Sequence, residues 1–196
     1  MGNRPLALSS DLSEKVLREK GGSVGFTLCN ASGSELDEQV SYRFDGGKWH
    51  TATTGERIDI PAMNSGRHTL DAVCRGETLQ QQFTVFSLDD TKPAEQTDDW
   101  FYVSDSQFPR DGKPVTLQVG ASGQGLHIVY AIYAGTKVIE SGARDLDNAL
   151  INLKLTYEEE YGNGLLLTYA WMKNGVAHTH QTTISRPLPD TRLRLQ

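Results

Sequence analysis

Two histidines, His178 and His180, stand on either side of Thr179 in a run of alternating side chains. Positions i and i+2 of an extended strand project from one face, so the two imidazoles could begin a metal site. No third ligand stands at a convincing spacing, and the pair reads as two solvent-facing strand residues. His50, His68 and His127 are isolated and read as ordinary strand or turn residues. Glu158-Glu159-Glu160 could offer carboxylates to calcium, a cation that gathers many oxygen ligands. The segment lacks the alternation of Asp, Asn and Gly that a dedicated calcium loop shows, so it reads as a solvated charged connection. The pairs Asp89-Asp90 and Asp98-Asp99 read the same way.

Nucleophile signatures are absent. There is no Gly-x-Ser-x-Gly elbow and no phosphate-cradling loop closing on Lys-Ser/Thr. Gly120-Ala121-Ser122-Gly123-Gln124-Gly125 is glycine-rich, but it lies between two β-type runs rather than ahead of a helix, so it reads as a turn. Two cysteines, Cys29 and Cys74, cannot define a disulfide framework or a zinc site. Cys29 falls on the opposite strand face from Val24, Phe26 and Leu28, whereas Cys74 shares a face with Leu70 and Ala72. Side chains that do not point into one core are not placed to bond. Catalytic, cofactor-binding and metal-binding residues are therefore expected to be none.

The elements that carry these residues are strands. Period-two alternation runs through Val24-Phe26-Leu28, Val40-Tyr42-Phe44, 58–60, 68–74 and 79–88. It resumes in Trp100–Val103, Val115-Leu117-Val119, 126–133, 138–140, 149–155, 164–172 and 176–185. Turn residues bound each run: Asp45-Gly46-Gly47, Asn64-Ser65-Gly66 and Lys173-Asn174-Gly175 among them. Residues 9–20 carry a weak helical pattern, but a short isolated helix is marginal, and a strand-like lead-in is the reading adopted. Strands recurring at this spacing suit immunoglobulin-like sandwiches. The expected fold class is all-β: two tandem immunoglobulin-like antiparallel β-sandwich domains. Residues 1–90 form the first module, 91–99 a polar linker, 100–190 the second, and 191–196 the cut start of another. The aromatic group Trp100, Phe101, Tyr102 and Phe108 follows the linker directly. These four are candidates both for core packing and for a contact between the domains.

The 196 residues carry a net charge of −6, with 37% hydrophobic and 22% charged side chains. That balance supports a packed core and excludes a disordered chain. Without clustered Lys and Arg there is no electrostatic grip on phosphate backbones, so a nucleic-acid partner is set aside. No apolar run is long enough to span a bilayer as a helix, and no membrane contact is expected of this stretch. Both ends read as cuts from a longer parent.

Several stretches resemble alpha-2-macroglobulin-like proteins of Bacteroides-type bacteria. They are Phe86-Ser87-Leu88 through Trp100-Phe101-Tyr102, Glu159-Glu160-Tyr161-Gly162-Asn163-Gly164, and Arg186-Pro187-Leu188-Pro189-Asp190-Thr191-Arg192-Leu193. Tyr42-Arg43-Phe44, Trp49 and Ser65-Gly66-Arg67-His68-Thr69-Leu70 carry the likeness into the first half. The resemblance implies macroglobulin-type β-sandwich modules in a large, lipid-anchored cell-envelope protein that traps proteases. Many members capture the protease through a thioester at a Cys-x-Glu-Gln motif. Here Cys29 is followed by Asn30-Ala31-Ser32 and Cys74 by Arg75-Gly76-Glu77, so neither matches. The resemblance therefore implies a non-enzymatic scaffold pair that positions neighbouring modules of the same chain, with a target protease met only by the whole protein. The rival expectation is an immunoglobulin-like binding module that recognises a protein or carbohydrate at the cell surface. An exposed aromatic platform would favour the rival, and burial of Trp100 and Trp171 the scaffold.

Overall fold

A computed structural model describes residues 5–189, with no α-helix among them. The chain is all-β and divides between Ser87 and Leu88 into two compact units, each a β-sandwich.

The first unit contains β1 (Ala7–Ser10), β2 (Lys15–Leu17), β3 (Ser23–Cys29), β4 (Glu35–Leu36), β5 (Gln39–Phe44), β6 (His50–Thr53), β7 (Arg57–Asp59), β8 (Gly66–Cys74) and β9 (Glu77–Phe86). One sheet has the order β1-β3-β4, with β7 also paired to β3; the other runs β2-β9-β8-β5-β6. All pairs are antiparallel except β2 with β9, which is parallel. The predicted alternation builds the core: Val24, Phe26 and Leu28 meet Val40, Leu70, Ala72 and Phe83. Residues 9–20 form two short strands, Ser10 lying opposite Phe26 and Val16 beside Val85. Both cysteines are free thiols on different sheets. Cys29 is half-buried, and Cys74 is buried with its Sγ 3.4 Å from the Gln39 carbonyl. Burial pushes the Cys74 thiol up, with Glu38 adding to the effect.

His68, an ordinary strand residue by sequence, fastens a hairpin. Asp45 sits at a positive φ of 53°. Its carboxylate accepts the Thr69 amide at 2.9 Å and lies 2.6 Å from His68 Nδ1, while His68 Nε2 lies 2.7 Å from the Asn64 carbonyl. With acceptors at both ring nitrogens, only the imidazolium donates to each. Burial against Phe83 opposes that charge, but Asp45 and the Asn64 carbonyl outweigh it and raise the His68 pKa. A raised folded-state value adds stability that is complete below the unfolded value of about 6.5 and is lost as pH climbs through the folded one. The first unit should therefore weaken as pH rises above about 6.5, and His68→Gln should flatten that slope. Hydrogen exchange of β8 amides across that range is the measurement; equal slopes in both proteins would remove the ion pair from the argument.

The second unit contains β10 (Trp100–Val103), β11 (Val115–Ala121), β12 (Leu126–Ala134), β13 (Lys137–Leu146), β14 (Ala149–Leu155), β15 (Gly164–Lys173) and β16 (Val176–Ser185). Its sheets are β10-β11-β14 and β13-β12-β15-β16, antiparallel throughout. Val115, Leu117 and Val119 of one sheet pack on Ile128, Leu167, Tyr169 and Trp171 of the other. Asn174 and Gly175, with φ of 50° and 76°, make the Asn-Gly hairpin turn the sequence announced. β13 is far longer than the predicted 138–140 and absorbs a bulge: Ile132 pairs with Glu140 but Tyr133 with Val138. Glu159–Tyr161 forms one exposed 3-10 turn.

Residues 91–99, the expected linker, are bound to this unit rather than hanging free. The Leu150 amide donates to the Thr91 carbonyl at 2.9 Å, and Asn152 Nδ2 donates to the carbonyls of Leu88 and Asp90. Ser122 and Thr97 bond each other, Ser122 N to the Thr97 carbonyl at 2.7 Å and Thr97 N to Ser122 Oγ at 3.0 Å. The expected start of a further module at 191–196 lies outside the described residues. Gly120 is fixed by close approach: a Cβ there would stand 2.3 Å from the Ala149 carbonyl oxygen across the β11–β14 ladder. Gly120→Ala should destabilise the second unit by about 1–3 kcal/mol through backbone displacement, read as a lower urea midpoint by tryptophan fluorescence. An unchanged midpoint would mean the ladder opens there at no cost.

Candidate functional site

In the second unit, two histidines and an aspartate meet at one margin of the sandwich. β16 places His178 and His180 on the face it shares with Ile184, opposite Trp171 and Tyr169 of β15. That face is the inner one, so the expectation of two solvent-facing histidines is corrected: both are largely buried. Their partner is Asp99, the residue immediately before β10. Its Oδ2 lies 3.1 Å from His178 Nδ1 and its Oδ1 lies 2.7 Å from His180 Nε2. One carboxylate thus accepts from two imidazoles, each in the tautomer that presents its N–H to it.

Aromatic rings wall this clamp. Phe101 stacks on His180 at 4.3 Å with an interplanar angle of 4°, and Trp171 stacks on both histidines at 5.5 Å. The preceding residue is held too: the Trp171 indole N–H donates to the Asp98 carbonyl at 3.1 Å, and Asn174 Nδ2 donates to Asp98 Oδ2 at 3.2 Å. Asp98-Asp99, read as a solvated pair, is therefore the anchor of the segment leading into β10. His178 Nε2 is buried without a hydrogen-bond partner, so the proton belongs on Nδ1, facing the carboxylate.

The cluster contains no hydroxyl or thiol nucleophile. Each ring nitrogen that meets Asp99 is aimed at a carboxylate oxygen rather than at a shared point. Among the described residues no group of three or more His, Cys, Asp and Glu side chains could hold a metal ion. What the arrangement does is grip: charge-assisted hydrogen bonds in a partly dry aromatic setting tie the β10 lead-in to the β15–β16 hairpin.

The four aromatic candidates separate. Phe108 is in the second unit's core beside Tyr157 and Tyr161. Phe101 faces inward against His180 and Tyr169. Trp100 is buried, its indole N–H donating to the equally buried Gln118 Oε1 at 3.2 Å, and Tyr102 is half-buried. His127 is exposed and pairs with Asp145 at 2.6 Å; His50 packs its ring against Tyr42. The partnership of Asp99 with residues about eighty positions away had no local signal. The inward aim of the histidines did have one: they share parity with Ile184.

No protein-family model matches the chain, and no curated protein matches it in sequence. Among solved structures, the fibronectin(III)-like modules of Clostridium thermocellum CbhA align over 97% of this chain and 97% of theirs, at 15% identity and a TM-score of 0.35. The bacterial integrin-binding protein invasin aligns over 96% of this chain and 41% of its own, at 14% identity and a TM-score of 0.35. Alpha-2-macroglobulin of E. coli in its native conformation aligns over 91% of this chain and 14% of its own, at 10% identity and a TM-score of 0.34. The fold assignment itself rests on the strand pairing above. This chain is a tandem of immunoglobulin-like β-sandwich modules.

Within the tandem, the clamp should behave as structure. Asp99→Ala leaves two half-buried imidazoles without their acceptor and should cost the second unit about 1–3 kcal/mol. Asp99→Asn, which keeps one acceptor oxygen, should cost less. Denaturant unfolding checks both; equal stability of Asp99→Ala and wild type would show that the clamp does not bear on folding.

Proposed function

We propose that this tandem is a structural pair within a large cell-envelope alpha-2-macroglobulin-like protease inhibitor, setting the spacing of neighbouring modules and carrying no reaction of its own. The observation that carries the reading is the clamped segment 88–99. A module whose incoming chain is hydrogen-bonded along a sheet and locked by Asp98 and Asp99 sets the direction from which that chain arrives. A flexible tether would need none of those bonds. Burial of Trp100 and Trp171, 1% and 4% exposed, favours the scaffold over a binding module with an aromatic platform. Trp49, 43% exposed, stands under Arg43 as a single ring.

The inhibitor assignment rests on the sequence resemblance, from Phe86-Ser87-Leu88 to Trp100-Phe101-Tyr102 and at Arg186-Pro187-Leu188-Pro189. It carries with it a lipid-anchored parent in the cell envelope, with neighbouring modules as direct partners and a protease as target of the whole. The test replaces this pair in the full-length parent by a Gly/Ser linker of similar reach. Protease trapping should fall sharply while the remaining modules stay folded. Undiminished trapping would remove the scaffold role, and a parent that traps no protease in either form would remove the inhibitor assignment.

A further inference from the structure

The second unit's four-stranded sheet ends in two very different edges. β13 carries Lys137, Glu140, Arg144 and Asp145 and a bulge against β12, the usual protections of an open edge. β16 has none of them. Its ten residues, Val176–Ser185, include no Asp, Glu, Lys, Arg or Pro, and they pair with β15 in unbroken register.

Strand parity shows which groups lie open. Ser185 sends its backbone to the outer edge, where its N–H donates to the Ser106 carbonyl and its carbonyl accepts from the Phe108 N–H, both at 2.9 Å. Ala177, Thr179, Gln181 and Thr183 share that parity, are all exposed, and make no backbone hydrogen bond along that edge among the described residues. The edge thus already accepts a strand at one end, in the bridge of Gln107 with Ser185, and is open over the rest. The side chains of Thr179 and Gln181 also border a shallow groove of about 460 Å³ on the sheet's outer face. Its floor is the small side chains of Ala131, Thr168 and Ala170.

We propose that the β16 edge docks a second copy of this chain, β16 against β16 in antiparallel register about a two-fold axis. The edge is its own complement. With His180 at the centre, Thr179 of one copy stands opposite Gln181 of the other, and Ala177 opposite Thr183. Each of these four residues then both donates and accepts, as a hydrogen-bonded antiparallel pair requires. No fixed charge meets a like charge across the axis, and the facing side chains are small or β-branched. The Asp99 clamp turns the ring nitrogens of both histidines toward its carboxylate on the inner face.

Sedimentation of the full chain from about 1 µM to about 1 mM, the range of weak pairings, should show the mass rise from one chain to two. Thr179→Pro removes an outward N–H that no ladder bond uses, and Gln181→Lys places charge beside charge at the axis. Each should stay monomeric at every concentration with an unchanged far-ultraviolet dichroism spectrum. Ala143→Lys, on β13, should dimerise like wild type. Wild type that stays monomeric throughout would overturn the proposal. So would a dimer that survives both β16 variants, or one lost equally in Ala143→Lys. A monomeric wild type that takes up an unrelated β-strand peptide would overturn the second copy as the occupant.

Discussion

The second unit depends on β11 being buried on both faces. Val115, Leu117, Val119 and Ala121 fill the space between the sheets, and Thr116, Gln118 and Ser122 on the other face are 4% exposed or less. A polar group so placed must be hydrogen-bonded or it costs more than its burial returns. Those partners are supplied by chain that runs beside the strand. Ser104 Oγ accepts the Thr116 amide, Trp100 donates to Gln118, and Ser122 reaches Thr97 and Glu95. The need to satisfy β11 thus fixes where residues 95–104 lie, and with them Asp98 and Asp99.

From that placement the clamp follows. Asp99 arrives at the margin of the sandwich as a carboxylate, and the inner positions of β16 nearest that margin are His178 and His180. Two imidazoles each give one N–H to a carboxylate that accepts at both oxygens, so a partly buried carboxylate has its hydrogen bonds made from two sides. The aromatic walls of Phe101 and Trp171 exclude water and hold the rings in plane. Stitching the start of β10 to β16 joins the two sheets at that margin, beside the core residues Tyr169 and Trp171.

The sandwich architecture was legible because alternation is a direct readout of which side chains a sheet buries, and most strands kept it. It failed where both faces are covered. β11 reads as a half-buried strand by Val115, Leu117 and Val119, and nothing in Thr116 or Gln118 announces that the other face is closed as well. The length of β13 was hidden for the opposite reason. It is exposed over nearly its whole length, so Ser141-Gly142-Ala143-Arg144 carries no apolar rhythm. The polar stretch 91–99 looked like a linker because composition reports hydrophilicity. It cannot report that Leu150 and Ser122 offer hydrogen bonds to that backbone. Asp99 was invisible as a site residue on the same grounds: its partners are brought by topology, not by spacing.

The same asymmetry separates what the clamp uses from what it leaves open. Inner-face residues of β16 are spent on Asp99, Trp171 and the core, while backbone groups of opposite parity point away from the sandwich. A strand can therefore be rigidly fixed by its side chains on one face and still be unfinished along its edge. Rigidity then matters to the edge, because a strand held in place loses little further entropy when another pairs with it. An open edge that is also mobile is poorly suited to specific pairing. One that is clamped, uncharged and in unbroken register is preorganised for it, whereas the charged and bulged β13 is built to refuse it.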